Sequence, residues 1–175
     1  SKLFDVKIAQ SPKYQYHGLE GGMAWRQKVR NYMTGQCPDC EALFNWAEAH
    51  ESIITWNEIR WVSNPVNGQL CLDQDATVIA GHIWTFVGVC LKGKAEAVYN
   101  TGGADRIRNG LEAWRKVYCH IVNGSKLHNM NLRDQVYQPK EARQYADVPQ
   151  TIGDWENAYR DFMAGGGGRM TAYEE

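Results

Sequence analysis

The sequence predicts an all-α protein of two small helical lobes, residues 1–103 and 104–175. Three observations predict it. Apolar residues recur three and four apart, as in Ile79, Ile83, Phe86 and Cys90, which is the period of one helix face. Start signals precede such stretches: Thr55 with Glu58 and Asn109 with Glu112 each set a side-chain acceptor three residues before a carboxylate that can reach back to it. Glycine, proline and Asn-Gly steps separate the stretches, and the Gly102-Gly103 pair marks the division between lobes.

Taken in order, residues 1–20 read as an extended arm. Ser11-Pro12 and His17-Gly18 punctuate it, and Tyr14 and Tyr16 alternate as on a half-buried strand. Such an arm covers its own domain or lies on a neighbouring subunit. Gly21-Gly22 opens the first helix, with Trp25, Val29, Tyr32 and Met33 as its apolar stripe and Arg26, Lys28 and Arg30 facing away. A second helix starts at Cys37-Pro38-Asp39-Cys40, where proline suits the first turn, and carries Leu43, Phe44 and Ala47 inward beside Trp46. The Thr55–Glu58 box starts a short third helix bearing Trp56, Ile59 and Val62.

Residues 63–68, with Asn64-Pro65 and Asn67-Gly68, carry loop signals. A hairpin between Trp61-Val62 and Leu70–Leu72 is the second reading. Asp73 and Asp75 lead into Ala76–Leu91, which is apolar nearly all round and therefore reads as a buried central helix. Its β-branched content keeps a buried strand as the alternative, and its length favours the helix. Gly93 ends it, and Ala95–Tyr99 adds a turn or two. The helix from Asn109 carries Leu111, Trp114, Tyr118 and Ile121 on one face, and Asn123-Gly124 reads as its stop. Ser125 then caps a sparsely apolar helix that ends at Gln138-Pro139. Asp147 caps the last, with Val148, Ile152, Trp155, Tyr159 and Phe162 four, three, four and three apart, and the run Gly165–Gly168 ends it. Thr171–Glu174 has the form of a cap for a further helix, so the second lobe is expected to be cut short. The packing anchors are expected at Trp25, Phe86, Leu111, Trp114, Trp155 and Tyr159.

Composition bounds the function. With 43% hydrophobic residues, seven tryptophans and nine tyrosines in 175 residues, the chain can build packed cores. No apolar run approaches bilayer length. Five cysteines are an odd number, and without a secretory signal they suit free thiols in a reducing, intracellular setting. The net charge of −1 argues against a dedicated nucleic-acid domain. The charge is uneven along the chain: residues 104–143 hold eight Lys/Arg against four Asp/Glu, and residues 144–175 hold two against six. A basic stretch followed by an acidic one suits head-to-tail pairing between subunits, or two solvated faces.

No pattern points firmly to chemistry. Cys37 and Cys40 have the spacing of half a zinc site, but Cys71, Cys90 and Cys119 are single and no second pair completes it. No strand of a βαβ unit precedes them, as a redox pair would want. The glycine run follows a helix and leads to Arg169-Met170, not to the Lys-Ser/Thr of a phosphate loop. Asp73 and Asp75 read as helix N-terminal charge, and His82 as a packed residue. No catalytic residue, cofactor or metal is expected, and the chain is not read as an enzyme.

Three stretches carry a family resemblance: Gly110–Arg115, Tyr14–Tyr16 with Gly21–Arg26, and Trp155-Glu156 with Tyr159 and Gly165–Gly168. In order and spacing they resemble Gag-like capsid proteins of LTR retrotransposons, of the Copia-type group and of dinoflagellate-type retroelements. The resemblance implies two capsid-like lobes that self-assemble into a closed shell, a cytoplasmic virus-like particle around element RNA. Asp147–Phe162 loosely resembles the homology region of retroviral C-terminal capsid domains but lacks its Gln-Gly pair, and no zinc knuckle is present. From charge alone, RNA contact is expected at Arg106, Arg108, Arg115 and Lys116. Reversing these four should then weaken RNA binding and leave assembly intact. Neither a membrane nor a small-molecule substrate is expected as a partner. The rival readings are a monomeric helical adaptor that binds a peptide, and a small enzyme using Cys37, Cys40 or His82.

Overall fold

The computed structural model describes residues 2–102 and 106–165. It is all-α: eight α-helices form among the described residues, and no strand does. They are α1 (Val6–Ala9), α2 (Gly22–Gln36), α3 (Asp39–Glu48), α4 (Trp56–Val62), α5 (Ala76–Cys90), α6 (Gly93–Tyr99), α7 (Gly110–Tyr137) and α8 (Val148–Ala164). The chain divides into two compact units, Ser1–Val122 and Asn123–Glu175. The division falls inside α7, not at 103/104, because the first turns of α7 are built into the N-terminal core.

That core is arranged around α5. Its residues Ile79, Ala80, Ile83, Phe86, Val87 and Cys90 are buried, and α1 and α4 both pack on it. The Asp75 side chain accepts a hydrogen bond from the Thr77 amide at its start, satisfying one of the free donors of the first turn. The Thr55–Glu58 capping box forms in full at α4. Asn67-Gly68 closes no hairpin: Leu70 N donates to Val62 O at 2.8 Å, and Asn64 Oδ1 accepts from Val66 N at 2.9 Å, holding a loop instead.

The N-terminal arm covers its own unit and is only partly extended, since it contains α1 and a 3-10 turn at Pro12–Tyr14. Tyr16 exchanges backbone hydrogen bonds with the end of α5, from Tyr16 N to Cys90 O and from Lys92 N to Tyr16 O. Its ring stacks on Trp25 at 5.2 Å between centroids. Trp25 stacks in turn on Trp114 at 5.6 Å, and Trp114 meets Phe44 at 4.4 Å. This column ties the arm, α2, α3 and α7 together. The sequence-predicted anchors Trp25, Phe86, Leu111 and Trp114 are all buried.

Gly110 lets α7 cross α5 closely: a Cβ there would overlap the Ala80 carbonyl oxygen and the Trp84 amide. The stop expected at Asn123-Gly124 does not occur, and Ser125 begins no new helix, because α7 runs unbroken to Tyr137. A mid-helix glycine costs about 1 kcal/mol relative to alanine, too little to end a helix whose two halves are both anchored by packing.

In the second unit the last turns of α7 pair with α8. The buried residues are Leu132, Ala158 and Phe162, with Val136 packed against them. Trp155 is half-buried and donates its indole N–H to Val136 O at 2.9 Å. Tyr159, expected as an anchor, is 44% exposed and stacks on Trp155 from the solvent side. The inner line of α8 is 155, 158 and 162, so the small Ala158 occupies the inner position. Asp147 makes no side-chain cap at α8; the Thr151 hydroxyl donates to its carbonyl instead, at 2.9 Å. Gly165 is the C-cap of α8. The rest of the glycine run and Thr171–Glu174 lie outside the described residues.

Candidate functional site

Two carboxylates organise the polar interior of the first unit. Glu48, at the end of α3, receives two hydrogen bonds of 2.6 Å from Arg26 and one of 2.8 Å from Arg30. The Trp114 indole N–H donates to it at 3.0 Å. The paired carboxylate raises the Arg26 pKa. Arg26 and Arg30, predicted to face solvent, therefore turn inward; their aliphatic stems can cover apolar surface while their heads are paired. Arg26 also lies over the Tyr118 ring and Arg30 over Phe44.

The second carboxylate is Glu112. Asn109 Oδ1 accepts from the Glu112 amide at 3.0 Å, the forward half of the expected capping box. The carboxylate does not reach back to Asn109. It accepts from the Ile54 amide at 2.8 Å, while Asn109 Nδ2 donates to Ile54 O at 2.9 Å. Both backbone polar groups of a buried residue are thereby satisfied by the start of α7, as burial requires. Arg115 then clamps Glu112 with bonds of 2.7 and 2.6 Å.

These contacts decide the fate of the four cations expected to meet RNA. Arg115 is half-buried and held by Glu112. Lys116 donates to Thr101 O, and its pKa is lowered, first by burial, with Arg106 and Arg115 adding to the effect and Glu112 opposing it. Arg106 donates to Asn100 O at 2.6 Å and flanks Gly102 together with Lys116. Arg108 is exposed, has a left-handed backbone (φ 64°) and lays its guanidinium over Gly81. Between the two arginines Ile107 is 59% exposed. The four therefore form no single open face: Ile107 and Arg108 are exposed, Arg106 is half-buried, and Arg115 is a structural member.

The residues considered for chemistry are inward. Cys37 and Cys40 are buried, with Cys40 within hydrogen-bonding reach of Cys37. Burial, then the neighbouring Cys37 and Asp39, pushes the Cys40 thiol up, which disfavours the reactive thiolate. Burial pushes Cys90 up to about 12. His82 packs its ring edge-on to Phe4, and burial lowers its pKa, with Arg108 adding. Among the described residues no three His, Cys, Asp or Glu side chains come together as a metal site.

The second unit holds a feature that the sequence did not reveal. The end of α7, the segment 138–143 and α8 line an open cleft of about 800 Å³. Asp134, Glu141, Asp147, Asp154 and Asp161 line it against two cations, Lys140 and Arg143, and Trp155 supplies an apolar wall. Outside the cleft, Leu127, Met130, Ile152 and Met163 are each 44% or more exposed.

Comparison with family models, with curated proteins and with solved structures finds no match. No helix among the described residues is long and apolar enough to cross a membrane.

Proposed function

We propose that this chain is a structural protein that self-assembles into a closed shell, as a Gag-like capsid protein of an LTR retrotransposon, around element RNA. The observation that carries the reading is the make-up of the second unit. Its helices bury only Leu132, Ala158 and Phe162, while Leu127, Met130, Ile152 and Met163 remain at the surface. Apolar residues left exposed on so small a unit are available to be covered by a partner. Repetition of several small contacts suits a shell, because each can form reversibly while closure supplies the strength. The motif resemblance supplies the family; the exposed second unit supplies the physical reason to assemble. In this reading the chain is intracellular, takes no cofactor and performs no catalysis.

The test is negative-stain electron microscopy of the purified chain over rising concentration and ionic strength, with sedimentation alongside. Closed particles of uniform diameter are the expected result. Sedimentation independent of concentration would instead favour a monomeric helical adaptor that takes a basic peptide in the acid-lined cleft.

A further inference from the structure

The acid-lined cleft of the second unit and the exposed turn at residues 106–108 of the first are complementary in chemistry. The turn presents Arg106, Ile107 and Arg108, a cation, an apolar side chain and a second cation, with Lys116 beside Arg106. Burial first lowers the Lys116 pKa, and Arg106 adds to that while Glu112 opposes it, so Arg106 and Lys116 are close enough to act as one basic patch. The cleft offers the opposite arrangement: five carboxylates against two cations, with a half-buried indole as wall. Its volume of about 800 Å³ is within the range of sites that engulf a ligand of a few side chains. Two arginines with an isoleucine between them match both parts: guanidinium groups pair with carboxylates, and the apolar tip has an indole to cover it. RNA would satisfy the arginines alone and leave Ile107 in water.

We infer that the Arg106–Ile107–Arg108 turn of one copy docks in the Trp155 cleft of a second copy. This rests on the self-assembly reading and names one of its contacts. The two surfaces differ, so the contact is heterologous, and it propagates from copy to copy until a ring or shell closes. It is small, and its strength in an assembly comes from repetition.

The experiment uses two charge-reversed full-length chains. One carries Arg106→Glu with Arg108→Glu; the other carries Asp154→Arg with Asp161→Arg. Each alone sets like charges against each other, so the concentration for half-association should rise about tenfold or more. Mixed in equal amounts they present an acidic turn to a basic cleft and a basic turn to an acidic cleft, and association should return. Restoration on mixing cannot arise from misfolded variants. If wild type associates and each variant does so equally well, the contact is wrong and assembly stands. Variants that fail both alone and mixed would also sink the pairing. A wild-type chain that stays monomeric at every concentration removes the assembly reading and this contact with it. Should the arginine-reversed chain assemble normally but lose affinity for a single-stranded RNA oligonucleotide, the turn is an RNA contact and the inference fails.

Discussion

The two units are built from sequence stretches that look alike and behave differently. α2 and α8 each show apolar residues at helical spacing. In α2 the stripe meets α3 and the aromatic column, and Trp25, Val29 and Met33 are almost fully buried. In α8 only Ala158 and Phe162 are buried, and Ile152, Tyr159 and Met163 remain in water. The difference is the number of neighbours. A helix among several others has its whole apolar face covered, whereas a helix in a two-helix unit covers one strip of it. Small units bury a smaller share of their surface, so the second leaves more apolar area in water.

The sharpest way to break this comparison is to truncate one indole in each unit. Trp114 is 1% exposed at the centre of the column, with its N–H on Glu48. Trp114→Ala should cost about 3–5 kcal/mol, seen as a large drop in the urea midpoint. Trp155 is only half-buried, and Trp155→Ala should cost about 1–2 kcal/mol because less surface returns to water. Equal losses would mean that the second unit is as well packed as the first.

Next in size is the polar interior. Glu48 holds two arginines and the Trp114 indole while only 8% of its side chain is exposed. Glu48→Ala leaves Arg26 and Arg30 poorly solvated and without their carboxylate, at about 3 kcal/mol. A double-mutant cycle with Arg26→Ala checks the origin of that loss. Strong coupling is expected; additive losses would show that Glu48 matters through packing alone.

These effects also mark where the sequence was legible. α2 to α4 could be read from apolar residues at helical spacing and α5 from its length, and the starts of α4 and α5 carry short-range cap signals. Glu48 could not: its partners lie 18, 22 and 66 residues away, and nothing local separates it from a solvated carboxylate. Glu112 was read as a cap, and only the fold brings Ile54 to it from 58 residues away. The acid-lined cleft was visible only as an acidic C-terminal composition, because a cavity depends on how α7 and α8 meet. Tyr159 shows the opposite failure. Its spacing matched the stripe, but periodicity names a face and not which residues on it have a neighbour to meet.

The smallest effect tests the continuity of α7 itself. Asn123-Gly124 has the form of a helix stop, and the structure carries the helix through it. Gly124 is exposed, and a Cβ there would meet nothing within 4 Å. Its cost is therefore only the backbone freedom that glycine loses on becoming helical, with no packing term against a larger residue. Gly124→Ala should stabilise the protein by about 0.5–1 kcal/mol, read as a higher urea midpoint and a small gain in helical ellipticity. The same exchange at Gly110, where a Cβ would strike α5, should destabilise by about 1–3 kcal/mol. Opposite signs for two glycines of one helix follow only if the first is locked against a core and the second is exposed in regular helix. Loss of stability at Gly124 would instead show that the chain needs a glycine conformation there, and α7 would end where the sequence first suggested.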